Sequence, residues 1–177
     1  AIDVHSHTYV RTPEEIAASD ALILPGGEST TIGKLAVEYG LLEPLRDLAA
    51  NGLPMWGTCA GLILLARDVG REQPLIGVLA VTVRRNAFGR QVDSFEADLT
   101  VPVLADPEPP FRAVFIRAPL ITRAEPGVEV LARLDNVEGR NGEIVAVRQG
   151  HLLATAFHPE LTDDDRFHRY FLTFVER

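Results

Sequence analysis

The sequence predicts one three-layer α/β domain with a mainly parallel central sheet and an antiparallel extension. Three observations carry that expectation. Short apolar runs alternate with stretches of helical periodicity through the first half of the chain, as when parallel strands are joined by helical crossovers. Two of these runs end on glycine turns that open directly into helices, at Pro25-Gly26-Gly27 and at Gly57-Thr58-Cys59-Ala60-Gly61. From Ile76 onward the texture changes to longer alternating runs, which suit antiparallel strands.

The elements follow in order. Val4 to Val10 alternates and reads as a strand. Thr12-Pro13-Glu14-Glu15 then opens a short helix, with Thr12 as cap, Pro13 at the first helical position and Glu15 closing a capping box. Ala21 to Leu24 is too short for a helix and reads as a buried strand that delivers the glycine turn. Ser29 or Thr30 caps the next helix, which runs towards Gly40, and Leu41 to Ala50 forms another that stops at Asn51-Gly52. Leu53 to Thr58 is a second buried strand, turning sharply into a helix from Ala60 to Ala66. Val78 to Arg84, Phe95 to Val103 and Arg112 to Ile116 are the antiparallel candidates, with a surface loop over Pro102 to Pro110. Asn141-Gly142 is a strong hairpin signal and Gln149-Gly150 a weaker one, so Ile144 to Val147 should pair with Leu152 to Phe157. A last helix is expected from Thr162-Asp163-Asp164-Asp165 through Val175, with Phe167, Tyr170, Phe171 and Phe174 as its core stripe.

Composition bounds the function. The 177 residues carry 17 Lys+Arg against 25 Asp+Glu, a net charge of −8. By surface scaling a chain of this mass buries about 70% of its unfolded surface, enough for a core without staples. The single cysteine excludes an internal disulfide and a multi-cysteine zinc site, and fits a reducing cytoplasm. A pI near 5.1 with no run of basic residues argues against nucleic acid or an anionic membrane as partner. No apolar stretch reaches membrane-spanning length and no signal-peptide pattern opens the chain, so it reads as neither exported nor membrane-bound.

The chemistry centres on Cys59. A G-x-C-x-G turn between an apolar strand and an apolar helix is the cysteine form of a nucleophile elbow: the side chain stands above the sheet and the helix start beneath it favours a thiolate. The Ala60 amide is then placed to donate to an oxyanion. Without its flanks, Cys59 would read as a small buried hydrophobe. A thiol nucleophile needs a base and a group to orient it. His158-Pro159-Glu160, at the end of the last apolar strand, supplies both, because residues i and i+2 of an extended segment share a face. In isolation an HPE string would be a surface turn; its place at a strand end, where ligands bind in parallel α/β sheets, marks it. Pro25 to Thr30 is a third candidate. It lacks the Gly-Lys-Ser/Thr of a phosphate loop, and its Gly27 amide is read as the complement of Ala60 at the oxyanion. His5 and His7 share a strand face, but no third zinc ligand accompanies them, while His151 and His168 are read as exposed.

The strings PGGESTTIGKL, GTCAGLILLA, RRNAFGRQVDSFEADL, VFIRAP and ATAFHPELTDD together resemble the glutaminase subunits of pyridoxal 5′-phosphate synthases, a branch of the class I (triad) glutamine amidotransferases. The resemblance spans most of the chain. It implies a flavodoxin-like version of the fold and hydrolysis of L-glutamine to L-glutamate and ammonia. It further implies that Cys59, His158 and Glu160 form the triad, that Gly27, Glu28 and Ser29 hold glutamine, and that Arg85, Ile116 and Arg117 complete the pocket. On composition alone Arg84, Arg90 and Arg112 would serve as well as Arg85. The expected partner is a synthase subunit in a large hetero-oligomer that uses the ammonia to make pyridoxal 5′-phosphate, and the hydrolysis needs no metal or organic cofactor. Such subunits usually open with a strand and helix ahead of the segment matching Val4 to Glu15, so residues 1–177 are expected to be a single glutaminase domain lacking that unit. The rival readings are another cysteine-elbow hydrolase, such as a γ-glutamyl peptidase or a glutaminase serving a different synthase, and a regulatory module of the same fold without catalysis.

Overall fold

The computed structural model describes residues 7–85, 94–135, 137 and 140–175. The helices are α1 (Pro13–Ala17), α2 (Ser29–Glu38), α3 (Leu42–Ala50), α4 (Ala60–Leu65) and α5 (Arg166–Leu172). The strands are β1 (Leu22–Leu24), β2 (Met55–Thr58), β3 (Ala66–Asp68), β4 (Leu79–Arg84), β5 (Ser94–Leu99), β6 (Phe111–Ile116), β7 (Leu120–Ala124), β8 (Glu129–Arg133), β9 (Ile144–Gln149) and β10 (Leu152–Thr155). Among the described residues, eight strands form one mixed sheet in the order β1-β2-β10-β9-β7-β4-β3, with β8 also on β9, while β5 and β6 pair separately.

The parallel part is β1, β2 and β10, and β3 runs parallel to β4. Antiparallel β9, β7 and β8 extend it. Strand β2 shows how the layers arise. Its residues are all buried, so both faces are covered. Gly57 faces α4 so closely that an added Cβ would lie 2.5 Å from the Gly61 backbone, whereas neighbouring Trp56 points the opposite way onto Phe167 and Phe171 of α5. The sheet therefore lies between α4 and α5. Phe111, Phe157 and Phe167 meet edge-on or tilted in the same core, at centroid distances of 4.8 to 5.7 Å.

Local expectations fare unevenly. The Thr12 capping box forms as read, with Glu15 N–H donating to Thr12 Oγ1 at 3.3 Å and Thr12 N–H to Glu15 Oε2 at 3.1 Å. The hairpin of β9 and β10 pairs, turning at Gln149-Gly150. The cap of α2 is neither Ser29 nor Thr30 but Glu28, whose carboxylate accepts from the N–H groups of Thr30 and Thr31. Its longer side chain can accept from both amides at once. Residues 7–10 of the expected first strand pair with no strand among the described residues; residues 1–6, including His5, lie outside the described residues. The helix after Cys59 stops at Leu65, where Ala66 turns extended and starts β3. The last helix begins at Arg166, because Asp164 turns back to accept from the Arg166 backbone and guanidinium, and it ends at Leu172. Its stripe is core as expected: Phe167, Phe171 and Phe174 are buried and Tyr170 packs against them. The Pro102–Pro110 loop is anchored rather than loose, with Val101 and Leu104 buried and Arg166 donating to the carbonyls of Asp106 and Pro109. His151 and His168 are half-buried, not exposed: His151 Nε2 lies 2.7 Å from Ala49 O, and the His168 ring meets Trp56 edge-on at 5.0 Å.

Candidate active site

Parallel pairing collects three strand ends at one edge. Leu24 is in register with Gly57, and Thr155 with Thr58, so Gly26–Gly27, Cys59 and His158 all emerge there. Cys59 sits at φ 49, ψ −102, a strained conformation for a residue with a side chain. Its surroundings over-determine it. The Cys59 N–H donates to Thr155 O at 2.9 Å, and its own carbonyl accepts from Ile63. Both flanking glycines are steric requirements: a Cβ on Gly61 would lie 1.9 Å from Leu24 O, and one on Gly57 would strike Gly61. Cys59 is buried, with 8% of the residue exposed, and its sulfur lies 3.9 Å from Ile116 O.

His158 is held on three sides. Its N–H donates to Val114 O of β6 at 2.9 Å, its Nδ1 lies 2.7 Å from Glu160 Oε1, and its ring rests against Gly26, where a Cβ would come within 2.5 Å of Cε1. The HPE segment is a single 3₁₀ turn, Pro159–Leu161, rather than a continued strand, and that tight turn brings Glu160 back to the imidazole. The hydrogen bond with the Cys59 side chain, then that with Glu160, raises the His158 pKa to about 10 against the opposing effect of burial. Burial pushes the Glu160 carboxyl up, but the hydrogen bond and charge of His158 outweigh it and leave the carboxyl below its ordinary range. The two shifts favour an imidazolium–carboxylate pair at His158 and Glu160.

Ala60 is the first residue of α4, so its N–H has no acceptor within the helix and sits beside the sulfur-bearing residue. Gly27, at φ 140, leads into Glu28 and buried Ser29. Glu28 Oε1 also accepts from Arg85 at 2.7 Å, and the Thr31 and Thr30 amides hold its carboxyl down at about 2. The arginines that composition left equivalent are separated here. Arg112 lies on Asp98 at 3.1 Å, Arg84 is exposed, and Arg90 falls outside the described residues. Arg85 reaches the turn that follows Gly27. Ile116 presents its carbonyl to Cys59, and Arg117 follows it at φ 46. Residues missed in the sequence are Gln73, which accepts from Arg85 at 2.8 Å, and Thr155, whose hydroxyl accepts from Trp56 Nε1 at 3.2 Å. No motif marks either. Among the described residues no group of three His, Cys, Asp or Glu could hold a metal ion, and no helix is long and apolar enough to cross a membrane.

A cysteine elbow at the edge of a parallel sheet, met by an imidazole and a carboxylate from the neighbouring strand end, is the architecture of the cysteine-elbow amidotransferase class. The chain belongs to the SNO glutamine amidotransferase family, whose model matches residues 3–177. It is 60% identical over 167 residues to the pyridoxal 5′-phosphate synthase subunit PdxT of Herpetosiphon aurantiacus, covering 92% of this chain and 84% of that protein. The PdxT protein of Pelotomaculum thermopropionicum is also 60% identical, over 164 residues, with 92% and 80% covered. A crystal structure described as a glutamine amidotransferase superposes with a TM-score of 0.86 at 53% identity, covering 95% of this chain and 85% of that one. The PurLQS structure from Thermotoga maritima, at 18% identity and a TM-score of 0.61, shares the fold.

Proposed function

We propose that this protein hydrolyses L-glutamine to L-glutamate and ammonia and supplies the ammonia to a synthase subunit that makes pyridoxal 5′-phosphate. The observation that carries the reading is the meeting of Cys59, His158 and Glu160 at one sheet edge, with Nδ1 of His158 2.7 Å from Glu160 Oε1 and the Cys59 side chain foremost in raising the imidazole's pKa. In this reading the Cys59 thiolate attacks the carboxamide carbon, and the Gly27 and Ala60 amides hold the resulting oxyanion. The His158 imidazolium gives its proton to the departing nitrogen as the C–N bond breaks, releasing ammonia and leaving a thioester. The neutral imidazole then takes a proton from water, whose oxygen attacks the thioester carbon and expels the thiolate. Glu160 orients the ring throughout. These steps call on no metal or organic cofactor, because a thiolate is the nucleophile and backbone amides carry the charge.

The Gly27–Ser29 turn, with Arg85, Ile116 and Arg117, is the proposed seat of the glutamine amino-acid end, and residues 1–177 act as one glutaminase domain around a continuous core. The partner is a synthase subunit in a large hetero-oligomer. A net charge of −8 supports neither a nucleic-acid nor a membrane partner, and a lone reduced cysteine suits the cytoplasm. The test is glutamate release in the presence of the synthase subunit for wild type and Cys59→Ser. Serine's far higher pKa leaves almost no anion on a site shaped for thiolate. Loss of activity with an intact fold is expected, and retention of more than about a tenth removes Cys59 from the nucleophile role.

A further inference from the structure

We propose that Gln73 is a positioning residue for glutamine, holding Arg85 and the Gly27–Ser29 turn in register with Cys59; the inference rests on the glutaminase reading above. The Arg85 guanidinium lies at the N-terminus of α2, where the helix's partial positive charge opposes it. Three acceptors keep it there: Glu28 Oε1 at 2.7 Å on NH2, and Thr30 Oγ1 and Gln73 Oε1, both at 2.8 Å, on NH1. Glu28 and Thr30 belong to the cap and first turn of α2 and move with it. Gln73 comes from a different segment and ties the guanidinium to a frame that also reaches α3 and α4.

That frame is fixed to the helix that Cys59 caps. Pro74 packs so tightly over α2 that a Cβ on Gly33 would lie 2.5 Å from its carbonyl oxygen. Arg46 of α3 donates to Leu75 O at 2.6 Å and Ile76 O at 3.0 Å. The Ile76 N–H donates to Leu64 O of α4 at 2.8 Å. Gln73 is thus borne on a strap pinned to α2, α3 and α4. Its amide orientation follows from chemistry, since the guanidinium N–H requires the oxygen to face Arg85. The Nε2 group then faces buried Ser29, at 3.5 Å from Oγ. One side chain therefore touches both Arg85 and the turn residue next to Glu28. With three of its five N–H groups used among the described residues, Arg85 has two to offer a substrate carboxylate, aimed by the Gln73 contact.

The experiment is steady-state glutamine hydrolysis by the full-length protein with its synthase subunit, for wild type, Gln73→Leu and Gln73→Glu, beside iodoacetamide alkylation of Cys59 and thermal melting. Leucine is close in volume but neither accepts nor donates; glutamate keeps the acceptor toward Arg85. Gln73→Leu is expected to raise KM about tenfold, the scale of one net hydrogen bond, with kcat within about threefold. Alkylation by iodoacetamide, which carries no carboxylate, stays at the wild-type rate, and Gln73→Glu returns KM to within about threefold of wild type. An unchanged KM in Gln73→Leu overturns the proposal alone, as does a parallel fall in kcat, alkylation rate and Tm, or a Gln73→Glu variant no better than Gln73→Leu. A wild type that releases no glutamate overturns the glutaminase reading and this inference with it.

Discussion

In the proposed triad Glu160 works through the 2.7 Å approach of its Oε1 to His158 Nδ1. Replacing it with Gln keeps the shape but removes the charge that stabilises the imidazolium, so turnover by Glu160→Gln should fall by a few orders of magnitude with glutamine binding retained, as when other triads lose their orienting carboxylate. An equal loss in Pro159→Ala would assign the effect to the 3₁₀ turn instead. The same pair sets a pH signature in stability. The folded-state pKa of His158, raised from 6.5 to about 10, contributes stability fully below pH 6.5 and loses it as pH climbs through about 10. Glu160, held below its ordinary 4.5, contributes above that value and loses its share as pH falls through the lowered one. Because the Cys59 side chain is the larger cause of the raised value and stays in the variant, the Tm gap between wild type and Glu160→Gln should open above about pH 4.5 and close only as pH nears about 10. A gap that keeps growing toward that upper value would contradict the assignment.

At the scale of elements, the elbow is a close approach of α4 to β1. The atom facing Gly61 is the backbone oxygen of Leu24, 1.9 Å from where a Cβ would sit, and a strand carbonyl cannot swing aside like a side chain. Gly61→Ala must shift α4 off β1, at a cost of about 3 kcal/mol, the upper end of the overpacking range. Urea midpoints would measure it, and near-wild-type stability would show that the helix can slide without penalty. The G-x-C-x-G spacing was legible because the approach of Gly57 to the Gly61 backbone is local, although Gly61 itself answers to Leu24 of β1. Strands β7 and β8 were not: Leu120–Ala124 and Glu129–Arg133 are short and weakly alternating, and they become strands through ladders with β4 and β9. The Glu28 cap was missed for a related reason, since Ser29 and Thr30 are stronger N-cap types and the side chain that won is also fastened by Arg85.

Across the whole molecule, the β5–β6 sheet leans on the site twice, through Val114 O to the His158 N–H and Ile116 O to the cysteine sulfur. A glutaminase that feeds a second active site wastes substrate when it fires alone, so turnover should depend on docking. Gly26–Gly27 supplies a means: with Gly27 at φ 140 and neither residue carrying a Cβ, the peptide between them is free to rotate its amide into or out of the proposed oxyanion position. One lost oxyanion donor is worth about 3 to 4 kcal/mol, so kcat should rise by roughly a hundredfold or more with saturating synthase subunit. Equal rates with and without the subunit would end this idea.

Local pattern was enough for the buried strands β1 and β2, the elbow around Cys59, the nearness of His158 and Glu160 and the glycine turn after β1, but not for the parallel pairing of β3 with β4, where a helix end and an antiparallel strand were expected. Each legible feature depends on neighbours in the chain: a short apolar run, a glycine turn opening a helix, and two residues two apart, which a tight turn rather than the expected extended strand brings together. Tertiary structure alone decided that Arg85 rather than Arg84 or Arg112 meets Glu28, that Gln73 lies behind it, and that the carbonyls of Val114 and Ile116 border the nucleophile and its base. These contacts join residues far apart in the chain, brought together by strand order and helix packing, and the long-range geometry of a folded core leaves no local periodicity to read.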